Sequence, residues 1–345
     1  MAPLANTDTT QAPEYGDGWL SRWCKASLYD ARDEVFVRLT LAMIALMTTL
    51  MAALYATLRW THVPPWVAAA GYLAAWGWFA PPVILMLHCT MHRAFIRSPK
   101  LLDRAHPFAM SLLFGMPTGY REHHIGVHHV EDNMPEDLSS TRAYRRDSFL
   151  HFLVYFARLL FLGLFEVPLY LARRRRYAMA RRALISELVH AGIIVLAMRL
   201  DFWFGAIAFL APYVICRFMM MAGNWGQHAF LNGERENNGI SNSITCINST
   251  YNRRCFNDGY HIGHHLKATR HWTELPADFI ANREQYAEKG AVVFEGIDFF
   301  VVSLLLWTGR WGILARRYVR LDGKERSDED VIAMLKARVN PCVEQ

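Results

Sequence analysis

The chain has 345 residues, 53% of them hydrophobic and 20% charged, with a mean hydropathy of +0.07 and a net charge of +6 at pH 7. The basic residues flank apolar runs and carry no nucleic-acid motif, so they suit anionic lipid headgroups and nucleic acid is excluded as a partner. The cysteines (Cys24, Cys89, Cys216, Cys246, Cys255, Cys342) form no C-x-x-C pair and no regular framework, which excludes a disulfide-stapled fold and reads as reduced thiols.

In chain order, residues 1–34 are polar, lack an apolar core with a cleavage site, and read as a mobile tail ending in an amphipathic stretch near 19–29. Residues 39–58 carry no charge and are long enough to cross the hydrocarbon core as a helix, bracketed by Arg38 and Arg59. A turn at 61–65 leads to a second apolar run, 66–87. Residues 93–182 are mostly polar and basic, with two apolar interruptions. The first, 107–117, is too short to span; the second, 149–172, carries His151, Arg158 and Glu166 and is expected to lie on the membrane surface. Residues 183–200 and 202–222 make a second pair of spans, and Glu187, His190 and Arg217 inside them are expected to face protein or water. Beyond 223 the chain is polar again, apart from 291–307, expected as an interfacial helix.

Of 37 Lys and Arg, 34 fall in 1–38, 88–182 and 223–345, which assigns those segments to the cytoplasmic side. The expected fold is therefore an all-α integral membrane protein: four transmembrane helices as two hairpins, with a cytosolic helical cap. Its expected divisions are a polar tail at 1–34, a membrane domain at 35–275 and a cytosolic or interfacial region at 276–345.

Nine of the 15 histidines stand at ligand spacing in four fragments: His88 and His92; His124, His128 and His129; His228, four residues after Asn224; and His261, His264 and His265. On a helix, residues three and four apart share a face, so each fragment can aim its imidazoles into one small volume. Adjacent histidines are turned about 100° apart on a helix and could serve different ions. Nine imidazoles exceed one tetrahedral zinc site and suit two ions of higher coordination, with Asn224 as a weaker or water-mediated ligand. Imidazole accepts iron, zinc, copper or nickel, so the ligand type does not choose the metal. All four fragments fall at or just beyond the ends of spans, whereas transport sites sit near the midplane on broken helices. That placement argues against the remote alternative of a metal transporter or sensor.

The order H-x-x-x-H, H-x-x-x-H-H, N-x-x-x-H, H-x-x-H-H, placed after spans two and four, resembles the membrane fatty acid desaturase superfamily, with histidine boxes and a non-haem di-iron centre. The resemblance covers residues 35–275. It implies two Fe ions held by His88, His92, His124, His128, His129, His228, His261, His264 and His265, with Asn224 matching the asparagine of the acyl-CoA desaturases. It also implies O2-dependent removal of two hydrogens from a fatty acyl chain carried on CoA, ACP or lipid, or as free acid. Box one is one residue shorter than the usual acyl-CoA desaturase form and box two one residue longer than H-x-x-H-H, which points to a branch closer to bacterial or lipid-linked enzymes. No H-P-G-G haem motif is present (His106-Pro107 is followed by Phe108), so the electron donor is expected to be separate: cytochrome b5, or ferredoxin with its reductase. The same scaffold could serve a lipid hydroxylase, carotenoid ketolase, acetylenase or fatty acid decarboxylase. The implied location is a multi-pass membrane protein with its active site on the cytoplasmic face, in the endoplasmic reticulum if eukaryotic and the inner membrane if bacterial.

Among the remaining groups, Asp258 and Glu122 are candidates to accept the outer N–H of ligand histidines. His271 is a candidate for the same outer layer. His190 reads as a packed polar residue, and Cys89 is out of phase with the box-one face.

Overall fold

The computed structural model describes residues 5–232 and 239–342. The chain divides into two compact units, one made of 1–10, 123–176 and 218–345, the other of 11–122 and 177–217.

Five helices are long and apolar enough to cross a membrane: Ala31–Trp60, Pro65–His92, Phe149–Arg173, Tyr177–Leu200 and Phe202–Gln227. Four coincide with the expected spans. The fifth is the segment expected on the membrane surface. It is one continuous helix, started by the Ser148 side chain accepting from the His151 N–H. Its Arg158 and Glu166 pair with each other at 3.2 Å, and the charges that argued for a surface position largely offset one another. Length and composition therefore admit five spans where four were expected.

In the second unit, Pro65 occupies the first turn of its helix, where its missing N–H costs nothing. The charges inside the later spans find protein partners. Arg217 reaches Glu187 at 2.5 Å, both side chains only 11% exposed, and the Gly119 N–H donates to the same carboxylate at 2.8 Å. His190 packs edge-on against Tyr213, with ring centroids 4.9 Å apart.

The first unit departs from the all-α expectation. Ile244–Ile247 (β1) and Val292–Glu295 (β2) form a two-stranded parallel sheet, with Ile244 opposite Val292 and Ile247 opposite Glu295. Both runs are short and rich in β-branched residues. Asn248 (φ 55°) ends the first and Gly296 (φ 71°) the second. The segment 291–307 is thus no single interfacial helix: β2 is followed by a helix, Phe299–Trp307, whose N-terminus Asp298 caps. The sequence pattern had merged a strand and a helix into one period. The sheet lies in a core with Phe230, Phe299, Leu306, Leu314, Val331 and Leu335, all nearly inaccessible. Residues 299–335 therefore share one core with the strand that precedes box three.

Removing one partner of a buried ion pair strands the other charge, at a cost of about 3–5 kcal/mol. Arg217→Met is accordingly expected to lower the melting temperature in detergent sharply, and Glu187→Gln/Arg217→Met to recover most of that loss. Equal destabilisation by the single and double variants would contradict the pairing.

Candidate metal centre

Box two is not an α-helical turn. His124–His128 is a π-helical segment, and the His129 N–H donates to the His124 carbonyl, five residues back. The one-residue excess noted in this box is absorbed by that wider turn. π-Turns of this kind recur at functional sites. The consequence is a change of partners. The spacing predicted His124 with His128; the structure brings His124 to His129, with ring centroids 4.5 Å apart and Nε2 atoms 3.1 Å apart. Box three lies on His261–Leu266. There His264 turns to His129, Nε2 to Nε2 at 3.0 Å, while His261 and His265, one helical turn apart, face each other at 3.0 Å.

Two groups result in the first unit. His128, His228, His261 and His265 form one, with ligand nitrogens all within 4.8 Å of one another. His261 and His228 approach at 3.3 Å between Nε2 atoms. His124, His129 and His264 form the other, within the same limit. Adjacent histidines are dealt to different groups, His128 from His129 and His264 from His265. In the second unit, His88 and His92 close the helix Pro65–His92 with ring centroids 5.1 Å apart.

These spacings fit a metal. Nitrogens about 2.1 Å from a common ion are separated by about 3.0 Å at right angles and about 3.4 Å at the tetrahedral angle. The observed Nε2 separations of 3.0–3.3 Å fall within that interval. All donors are imidazole nitrogens, which hold first-row transition metals.

The outer nitrogens are held too. His128 Nδ1 lies 2.7 Å from Asp137, and His265 Nδ1 lies 2.7 Å from Asp132. His228 Nδ1 donates to the Asn242 carbonyl at 2.5 Å. These contacts fix the tautomer and turn each Nε2 lone pair inward. Asp137 is itself fastened, accepting from the Ser139 N–H at 2.8 Å and its hydroxyl at 2.7 Å. Asp132 and Asn133 sit at φ 46° and 59°, left-handed positions that end the box-two helix. Burial lowers the proton affinity of these imidazoles. In His228 it dominates and the pKa falls well below the ordinary value, as it does more modestly in His265 despite Asp132. At His128 burial is outweighed by Asp137, and the pKa rises. Asp137 resists its own burial because His128 lies beside it, and stays below the usual carboxylate range.

Two glycines allow the close approaches that place the ligands. A Cβ on Gly226 would sit 2.3 Å from the Phe299 carbonyl oxygen, so the helix bearing Asn224 can lie against Phe299–Trp307 and present His228. A Cβ on Gly259 would sit 2.3 Å from both the Asn252 side chain and the Cys246 carbonyl oxygen. That turn is also strapped from outside. Asp8, 7% exposed, accepts from Tyr260 Oη at 2.7 Å, Asn252 Nδ2 at 2.9 Å and the Asn248 N–H at 2.7 Å. Tyr260 immediately precedes His261. Residues 6–9, expected to be mobile, are a tie across box three.

Asp258 accepts from Tyr251 at 2.9 Å, and Glu122 accepts from Arg182 at 3.0 Å; Asp137 and Asp132 are carboxylates that meet ligand Nδ1 atoms. His271 caps the short turn Trp272–Glu274 through its Nδ1. Asn224 donates through Nδ2 to the Ser139 carbonyl at 3.0 Å and to Tyr155 Oη at 2.7 Å. The acidic run at 131–137, close after box two, was the signal that could have revealed Asp132 and Asp137. Asn242, acting through its backbone, and Asp8, 253 positions from His261, had none.

A family model described as fatty acid desaturase matches residues 58–296, well over half of the chain, and the chain belongs to that family. A comparison with curated proteins finds no match. The family and the five apolar helices together make this a membrane protein related to oxidoreductases that act on fatty acids.

Outer-layer carboxylates on ligand histidines contribute about 10- to 100-fold to metal affinity. Asp137→Ala should weaken metal retention by that order in a chelator titration, while Asp258→Ala leaves it near wild type. Equal losses in the two variants would overturn the assignment.

Proposed function

We propose that this member of the fatty acid desaturase family is a membrane di-iron enzyme that forms a C=C bond in a fatty acyl chain. The observation that carries the reading is the alternation of box two and box three between two imidazole groups, each with Nε2 atoms about one coordination edge apart. The reaction balances as R–CH2–CH2–R′ + O2 + 2 electrons + 2 protons giving R–CH=CH–R′ + 2 water, with the electrons from a separate donor, cytochrome b5 or ferredoxin with its reductase.

Iron bound at these groups supplies dioxygen activation and attack on an unactivated C–H bond. The chain's own residues do the rest. His128, His228, His261 and His265 would hold one ion, and His124, His129 and His264 would be ligands to the other. By motif, His88 and His92 are box-one ligands, and Asn224 is a weaker or water-mediated one. Asp137 and Asp132 hold His128 and His265 in the tautomer with Nε2 free. Asp8 and Asn252 keep the box-three turn from shifting. Burial keeps His228 neutral and therefore able to ligate. We place the site on the cytoplasmic face, where 34 of 37 basic residues were assigned by sequence.

Mass spectrometry of lipids from an expressing host tests the outcome. Acyl chains lighter by two hydrogens are expected. A gain of one oxygen would make the protein a hydroxylase on the same scaffold. His261→Ala should abolish product and lower iron content, because it removes one imidazole from a four-membered group. Full turnover in that variant would sink the di-iron reading.

A further inference from the structure

Residues 5–9 cross the outside of the segment that joins β1 to box three, and hydrogen bonds hold them there. Asn248 Oδ1 accepts the Thr7 N–H at 2.8 Å, and its Nδ2 donates to the Ala5 carbonyl at 2.8 Å. Asn257 Nδ2 donates to the Thr9 carbonyl at 2.7 Å and to the Trp272 carbonyl at 3.0 Å. Between these two ends lies Asp8. One oxygen of its carboxylate, Oδ2, takes all three donors named above, from Asn248, Asn252 and Tyr260. Three donors from the approach to box three thus replace the water that a buried carboxylate gives up.

Little else secures this tie. The run Ala-Asn-Thr-Asp-Thr has no large apolar side chain. Ala5, Thr7 and Thr9 are exposed, Asn6 is half-buried, and Asp8 is the buried member. A surface segment held by polar contacts opens locally, at a free energy well below that of global unfolding. The far side of box three is anchored differently. Tyr260 and Ile262 lie in an apolar core with Ile247, Leu275, Phe279 and Tyr286. Lifting the tie therefore frees one side of the box-three turn and leaves its helix anchored on the other.

The two histidine groups feel that turn unequally. His261, bonded to Tyr260 in the chain, and His265 are two of the four members of the group with His128 and His228. Box three gives His264 alone to the group with His124 and His129. Burial differs as well. His128, His228 and His261 are at most 2% exposed, so an ion held by them leaves only when a ligand moves. His129 and His264 are half-buried and stand nearer to water.

We infer that Asp8 is a positioning residue whose strap closes the four-histidine group: an ion enters and leaves that group when residues 5–9 lift from the box-three turn. This rests on the proposed function for the presence of metal at these histidines alone, and neither on the identity of the metal nor on the reaction.

The test is chelator-driven release of Co2+, a probe followed by its visible absorption, from the purified full chain in detergent. Two phases are expected, and the phase lost in His228→Ala belongs to the four-histidine group. Asp8→Ala should quicken that phase by about tenfold, the equivalent of one hydrogen bond to a charged group. The other phase and the melting temperature of the metal-free protein should stay near wild type. Asp8→Asn keeps an acceptor oxygen and should recover much of the slow release. Should Asp8→Ala fail to fold, Tyr260→Phe decides, because it keeps the ring against Phe279, with centroids 5.8 Å apart, and removes only the hydroxyl. The same selective quickening is expected there. Release unchanged by the substitution, or quickened equally at both groups together with a lower melting temperature, would overturn the inference. A protein that shows the selective release and forms no C=C bond would refute the proposed function and leave the strap standing.

Discussion

Imidazole nitrogens that face each other at 3.0–3.3 Å, in a buried space, are the constraint on which the first unit depends. Two neutral rings can share one proton at that distance, but four rings around one point cannot all be satisfied by one another. Their lone pairs converge, and only a cation at the centre turns repulsion into binding. The features nearby each maintain that convergence. The π-turn in box two redirects His124, Asp137 and Asp132 lock the outer nitrogens, and Gly226 and Gly259 remove side chains that would push the helices apart.

The rest of that unit keeps the frame stiff. Arg146 is fully buried. Its guanidinium donates to the carbonyls of Ala229 at 2.9 Å, Thr141 at 3.0 Å and Arg338 at 3.1 Å. Burial pulls its pKa down to about 10, so it remains protonated at neutral pH. One side chain thereby ties the segment after box two, the segment after His228 and the C-terminal helix together. Such a charge is tolerated because the carbonyls replace its hydration. β2 and Phe299–Trp307 complete the same frame from the segment 276–345, which the sequence read as a cytosolic or interfacial region.

The legible part of this protein was periodic. Uninterrupted apolar runs announced four of the long helices, and ligand-spaced histidines announced the site residues, because both patterns are written in consecutive positions. What escaped was written across the chain. The π-turn replaces the helical period in box two, one of the four fragments whose pairing was inferred from it. The aspartates behind the ligands are ordinary surface types in sequence, and only the left-handed turn at Asp132 and Asn133 folds them back. Asp8 reaches Tyr260 across 252 positions, and no local pattern encodes such a contact. β1 and β2 are four residues each, too short to outweigh the helical signal around them.

Metal content of the natively loaded, detergent-purified protein, read with Mössbauer spectroscopy, tests the central claim most directly. The account predicts about two irons per chain behaving as a coupled pair, since box two and box three each supply both imidazole groups. A single zinc per chain, with no iron, would contradict it.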